Sequence, residues 1–168
     1  METALPDGTP VRIRPIRTSD VRWMIPAFHR LSRETIYQRF FTFMSDLPRP
    51  MAEHFANVDH VHRQALVAEI SKGISHQPAG IARYEPGENP AQAEIAVLVA
   101  DEYQNRGIGR VLFHAIMEAG RENGIAEFCA DILSENHRML HLLEKETLIK
   151  LSKVQQGVTH VVFSPKES

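Results

Sequence analysis

The feature that most constrains this chain is a junction. Ala93 to Ala100 (AEIAVLVA) is apolar, rich in Ile and Val, and too short for a typical helix, so it reads as a largely buried strand. Downstream, Ile108, Val111, Leu112, Ala115, Ile116 and Ala119 recur at the spacing of one helix face. Between the two lies Gln104-Asn105-Arg106-Gly107-Ile108-Gly109. The glycines therefore stand where a strand gives way to a helix. A helix N-terminus carries unpaired N–H groups and a partial positive charge. Glycine there lets the backbone come close to an anion, and phosphate is the usual guest.

Two familiar phosphate motifs are excluded. No Lys-Ser or Lys-Thr follows the second glycine, so the turn is not a Walker A loop. The dinucleotide fingerprint needs a third glycine, and Arg110, Val111 and Leu112 follow instead.

The remaining elements read as follows. Val11 to Ile16 is an opening strand, alternating apolar residues with Arg12 and Arg14. Arg12, Arg14 and Arg17 read as a solvated strand face. Thr18, Ser19 and Asp20 offer caps for a helix that Pro26 should break or distort. Ser32 caps a second helix, and Pro48 to Val58 holds a short third. Ala65 to Ile70 and Ala79 to Tyr84 are strands joined by a polar loop around Lys72-Gly73. A helix running to about Asn123, a strand at Glu127 to Leu133, a helix opened by Ser134 to His137, and a final strand at Val158 to Phe163 complete the order. Strands flanked by helices on both faces imply a mixed α/β sheet.

The 168 residues suit a single domain, 1–168, with its core at about 10–163. A net charge of −2 gives no argument for a nucleic-acid or membrane surface. No apolar stretch approaches the roughly 20 residues of a membrane span. Met1 to Pro10 lacks a signal-peptide pattern, and one cysteine, Cys129, suits a reducing compartment. A cytoplasmic protein is expected.

Gln104-x-x-Gly107-x-Gly109 resembles the Q/R-x-x-G-x-G/A signature of the GNAT superfamily of N-acetyltransferases, which grips the pyrophosphate of acetyl-CoA. The elements after it match that family in order, and the resemblance spans roughly residues 10–163. The segments DGTPVRIRPIRTSD and FHRLSRETIYQRFF further resemble the acetyltransferase domain of bacterial protein-lysine acetyltransferases. The resemblance implies a mostly antiparallel central sheet flanked by helices and splayed at the acetyl-CoA site. It implies acetyl transfer to a primary amine, a protein lysine before a small metabolite, in a monomer or homodimer. A different class of reading is a non-catalytic acyl-CoA-binding module.

Acetyl transfer to an amine needs a base, because an ammonium of pKa about 10.4 cannot attack. Glu94 heads the AEIAVLVA strand beside apolar residues, where desolvation raises a carboxyl pKa toward working pH. The resembled lysine acetyltransferases place their catalytic glutamate there. Asp101 and Glu102 lie closer to the turn and read as flanking it. For the cofactor, the backbone amides of Gln104, Asn105, Arg106, Gly107, Ile108, Gly109 and Arg110 are expected on the pyrophosphate, with Arg106 or Arg110 adding charge. The resemblance adds a backbone amide near Leu98 or Val99 for the thioester carbonyl and Asn136 as a cofactor contact. It also places Tyr37 and Arg39, on the helix walling the cleft, toward the acceptor.

The chain departs from the family where many members carry a general-acid Tyr seven residues after the Asn. Leu143 stands there, followed by Glu144-Lys145-Glu146-Thr147-Leu148. Water, or hydrogen bonding from Ser134 or Asn136, is left to serve the leaving thiolate. The nine histidines include His137 and His141 on one helix face and His60-Val61-His62, none at a metal-ligand spacing such as HExxH. No metal is expected. Cys129 reads as a small hydrophobe in a central strand.

Overall fold

A computed structural model describes residues 1–166. Strand β1 (Glu2–Ala4) and strand β2 (Pro10–Pro15) open the chain. Helices α1 (Val21–His29), α2 (Arg33–Phe40) and α3 (Arg49–Ala56) follow. Then come β3 (Gln64–Lys72), β4 (Ser75–Pro86) and β5 (Gln92–Val99). Helix α4 (Ile108–Glu122), β6 (Glu127–Leu133), α5 (His137–Glu146), β7 (Thr147–Gln155) and β8 (Val158–Pro165) complete it.

The strands form one eight-stranded sheet in the order β1-β2-β3-β4-β5-β6-β8-β7. Neighbours are antiparallel except β5 and β6. That parallel pair is joined through α4, as a parallel pair requires a crossover. Ile108, Leu112, Phe113, Ile116 and Met117 of α4 pack on one face with Tyr84, Ile95 and Phe128. Val21, Met24, Phe28, Ile36, Ala52 and Ala56 of the first three helices pack on the other with Ala65 and Val67. The expected mixed sheet with helices on both faces is what the chain forms. None of the described helices is long and apolar enough to cross a membrane.

Three local expectations are corrected. Pro26 sits inside α1 without ending it. In so short a helix it forgoes only one backbone bond, and Met24 and Phe28 anchor the helix to the core. The arginines of β2 are not a solvated face. Arg14 pairs with Asp20 at 2.8 Å and Glu69 at 2.9 Å, and Arg12 pairs with Glu69 at 2.6 Å. Glu69 and Asp20 are both buried, so these arginines are their counterions. Strands β1 and β7 lie outside the elements that the pattern predicts. In β7 only Thr147 is buried, so no alternation marks it.

The site follows from one register. Strand β5 pairs with β6 only from Gln92 to Glu94, opposite Glu127 to Cys129. Beyond that point β6 continues against β8, while β5 runs on to Val99 against β4. Two central strands therefore part, and the edge of β5 from Ile95 to Val99 faces an opening.

Candidate functional site

At the C-terminal end of β5 the chain turns through Asp101–Tyr103 into α4. Gly107 takes the N-cap position with φ +96°, a left-handed conformation that disfavours side chains. The first α4 bond runs from the Val111 N–H to the Gly107 carbonyl. The six preceding N–H groups, Asn105 to Arg110, meet no protein acceptor among the described residues. Asn105 also has positive φ, +62°. Consecutive unpaired amides at a helix start form a cradle for an anion with several oxygens.

Gln104 braces the turn. Its Nε2 donates to the Val99 carbonyl and to Thr35 Oγ1, each at 3.0 Å. Asp101 ties the turn to α2, accepting from the Ser32 and Thr35 hydroxyls at 2.6 and 2.9 Å. Burial pushes the Asp101 pKa up, but these bonds outweigh it and hold the carboxyl below its ordinary range.

A cleft of about 360 Å³ begins at this turn and runs along β5 toward the opening. Of the expected cofactor residues, Leu98, Val99, Gln104, Asn105, Gly107, Gly109, Arg110 and Asn136 line it. Ile108 is on the turn but its side chain is buried in the core. Arg106 points elsewhere, to Asp7 at 3.1 Å and Thr9 at 2.9 Å in the β1–β2 turn. Its side chain is a brace, which corrects the expectation that it adds charge to the cleft. Arg110 faces the cleft but pairs with Glu146 at 2.9 Å. Asn136 caps α5, accepting from the Met139 N–H at 3.3 Å. Arg138, His141 and Lys145 also line the cleft and were not anticipated. Their spacing on one face of α5 was the available signal.

A second cleft, about 340 Å³, adjoins the first through Gln38, Arg39, Val97, Asn136 and Met139. Glu94 and Asp131 line it. Glu94 lies at the end of the β5–β6 pairing, directly opposite Glu85 in β4. It is exposed at the cleft mouth rather than buried. Desolvation in the cleft, then the Asp131 and Glu85 charges, raise its pKa against the opposing pull of Arg39 and His160. Among the described residues the Glu94 side chain has no hydrogen-bond partner. Asp131 is held by His160 Nδ1 at 2.6 Å. Cys129 is buried nearby, and burial plus the Glu94 and Asp131 charges push its thiol up to about 11, so it is a poor nucleophile.

Two expectations separate here. Arg39 lies where the two clefts join. Tyr37 does not reach them: it stacks on exposed Phe43 with ring centroids 4.8 Å apart. Leu143 is fully buried in the core, so its position presents no group to the cleft. Ser134 is occupied by Thr159 at 2.7 Å. Among the described residues no group of three or more His, Cys, Asp or Glu is arranged to hold a metal ion.

Comparison with known proteins gives this geometry a family. The chain is 29% identical to an acetyltransferase of Pseudomonas aeruginosa over 139 residues, covering 83% of this chain and 75% of that protein. It is 29% identical over 134 residues to the acetyltransferase Pat of Mycolicibacterium smegmatis, covering 79% of this chain but 39% of that longer protein. Its fold superposes on the GNAT domain of S. lividans PAT with a TM-score of 0.86 and 28% identity, covering 98% of this chain and 96% of that one. Residues 30–147 match the acetyltransferase (GNAT) family, and with most of the chain inside that match, this protein belongs to the GNAT family of acetyltransferases.

Proposed function

We propose that the protein transfers the acetyl group of acetyl-CoA to a primary amine by direct attack, with Glu94 as general base and a protein lysine as acceptor. The observation that carries the reading is the run of six amides at Asn105 to Arg110 that meet no acceptor among the described residues, opening onto a cleft whose neighbour holds the Glu94 carboxylate. A solved GNAT structure of a Salmonella typhimurium protein contains acetyl-CoA, and at 16% identity it shares the fold with this chain.

The residues fit such a ligand. The amide cradle suits a pyrophosphate, and Arg138 and Lys145 add positive charge along the cleft. The free β5 edge from Ile95 to Val99 suits a pantetheine arm lying as an extra strand, with an amide near Leu98 or Val99 polarising the carbonyl. Bound acetyl-CoA supplies the activated thioester. Glu94, whose raised pKa keeps it basic yet able to release a proton, takes the proton from the incoming ammonium. Asp131 beside it favours a cationic acceptor. A thiolate is stable enough to leave without a side-chain acid, which agrees with a leucine at position 143.

The lysine preference draws on the likeness to S. lividans PAT and to Pat. The test is acetyl transfer from acetyl-CoA to a panel of lysine-bearing proteins, peptides and small amines. Transfer to a lysine side chain, reduced about 10²–10⁴-fold by Glu94→Gln, is expected. Turnover confined to small amines would overturn the acceptor class. Tight acetyl-CoA binding with no turnover would favour a binding module.

A further inference from the structure

The helices α1 to α3 partly cover a pocket of about 90 Å³ on the face of β4 and β5 opposite α4. Its walls are mainly apolar, from Phe28, Leu31, Phe40, Ala96 and Leu98. Two arginines, Arg39 and Arg83, also line it. Cavities of this kind in a core are normally closed by apolar side chains, because a buried guanidinium without a partner is costly.

Neither arginine is fully satisfied by the described residues. Arg83 is 5% exposed, and its buried Nε has no hydrogen-bond acceptor among the described residues. Among the described residues Arg39 meets no acceptor and lies over the Phe40 and Phe55 rings, at 4.9 and 6.0 Å. Arg83 lies over the same Phe55 ring at 4.6 Å. One carboxylate, Glu85, takes a hydrogen bond from Arg83 at 2.6 Å and another from Arg63 at 3.1 Å. Glu85 is thus shared between Arg63 and Arg83, and Arg39 is left with no carboxylate within hydrogen-bond distance among the described residues. Burial draws the Arg83 pKa down to about 10, against Glu85, and repulsion from Arg39 and Arg63 adds to the fall. Such a locus gains stability by taking up an anion.

Its place on the sheet says which anion. Arg83 pairs across the strands with Ala96, and Ile81 with Leu98. Resting on the acyl-CoA reading above, the thioester lies at the level of Leu98. Ala96 is two residues further along β5, about 6.8 Å away. Its small side chain leaves the space over Arg83 open. A four-carbon acyl chain spans roughly 4 Å from carbonyl carbon to terminal carbon, which carries its carboxylate from the level of Leu98 toward that of Ala96, where the long side chains of Arg83 on the adjacent strand and Arg39 on α2 line the pocket. The second cleft, by contrast, is not lined by Arg83 and offers Glu94 and Asp131, which repel an acceptor's carboxylate.

We propose that Arg39 and Arg83 form a carboxylate subsite for the acyl chain, so that the protein takes acyl-CoA donors whose acyl group ends in a carboxylate, a four-carbon diacid fitting best. The transfer step itself is unchanged. The amine nitrogen bonds to the carbonyl carbon, the C–S bond breaks with its electron pair going to sulfur, and the amine proton goes to Glu94.

The test is calorimetric titration of wild type, Arg83→Met and Arg39→Met with CoA, butyryl-CoA and succinyl-CoA. Butyryl-CoA matches the four-carbon length without the carboxylate. Wild type should bind succinyl-CoA at least tenfold tighter than butyryl-CoA. Each substitution should bring that ratio close to one, and methionine keeps an apolar stem against Phe55. Equal binding of the two thioesters by wild type would overturn the proposal, and needs no variant to fold. So would a ratio that survives both substitutions, or a carboxylate preference that is found only among acceptors. If CoA itself does not bind, the acyl-CoA reading falls, and this proposal falls with it.

Discussion

Gly107 and Gly109 stand two residues apart in one motif, yet the structure assigns them different costs. Gly107 has φ +96°, and a Cβ there would lie 3.3 Å from Pro6 Cδ. An L-residue in a left-handed conformation costs about 1–2 kcal/mol. For a chain of this size each kcal/mol lowers the melting temperature by about 2–4 °C. Gly107→Ala should therefore melt about 2–8 °C below wild type without any ligand. It should also bind acetyl-CoA more weakly, because relieving the strain turns the amides of Asn105 to Arg110 away from a common centre. Gly109 has no positive φ, and a Cβ there meets only Val99 Cγ2 at 3.6 Å, an ordinary contact. It lies within α4, where alanine is preferred over glycine by up to about 1 kcal/mol. Gly109→Ala should melt at or above the wild-type temperature and bind acetyl-CoA within a few-fold. The assay is thermal unfolding of the three proteins with and without acetyl-CoA, beside calorimetric affinities. If Gly107→Ala melts with wild type, or Gly109→Ala loses more stability than Gly107→Ala, the account of the cradle is refuted.

Glu94 should show opposite signs in activity and stability. Its folded pKa is raised, so the stability it contributes is present below its unfolded pKa and lost as pH rises through the folded value. Glu94→Gln should then slow transfer about 10²–10⁴-fold while melting no lower than wild type at pH 7, and the rate defect should shrink as pH rises and neutral amine accumulates. Parallel losses in rate and melting temperature would make Glu94 structural. Arg14→Met leaves Asp20 and Glu69 buried without their shared cation and should cost about 3–5 kcal/mol, measured by urea unfolding. Burial raises the pKa of both carboxyls, but hydrogen bonds from Arg14 to both, from Trp23 to Asp20 and from Arg12 to Glu69 lower them further. The stability this network gives is thus full above the unfolded pKa values and lost as pH falls through the folded ones. Wild type should lose more stability than Arg14→Met between pH 6 and acid, and parallel losses would count against the network. Gly120→Ala puts a methyl 2.7 Å from the Phe128 ring and should cost about 1–3 kcal/mol despite the better helix propensity, with an unchanged urea midpoint refuting it.

The sequence pattern made β5, the glycine turn and α4 legible because each signal is local. The strand shows as an apolar run and the helix as a 3.6-residue period, and the turn between them needs glycine at one position. What the pattern hides is set by partners far along the chain. Arg106 and Arg110 look equivalent beside the turn, yet Asp7 and Thr9 claim Arg106 from nearly a hundred residues away. Arg12 and Arg14 look like a solvated face until β3 brings Glu69 across from them. Asp131 occupies a polar position of a strand and has no motif, so only the parting of β5 and β6 places it beside Glu94.

The same distinction separates two kinds of residue at the site. The proposed backbone donors, from Asn105 to Arg110, are positioned by short-range geometry, and a glycine spacing records it. Those that act through side chains depend on which strand stops pairing and where. Had β5 and β6 stayed paired to Val99, Glu94 would sit within a continuous sheet beside Cys129, and neither cleft would exist. On its other edge β6 pairs with β8 from Phe128 to Leu133, and Phe128, Ala130 and Ile132 share the α4-side core with Val161 and Phe163, so β8 holds β6 on its course as it parts from β5. The apolar burial that holds β8 against β6 thereby fixes the strand that diverges from β5, whose edge beyond Glu94 has no partner strand among the described residues. A site for an extended ligand is in this sense a consequence of core packing some distance from the chemistry. Substitutions that loosen β8, such as Phe163→Ala at a cost of about 3–5 kcal/mol, should weaken acyl-CoA binding without touching any cleft residue. Calorimetry on the folded variant at low temperature checks this, and wild-type affinity there would show that the opening does not depend on β8.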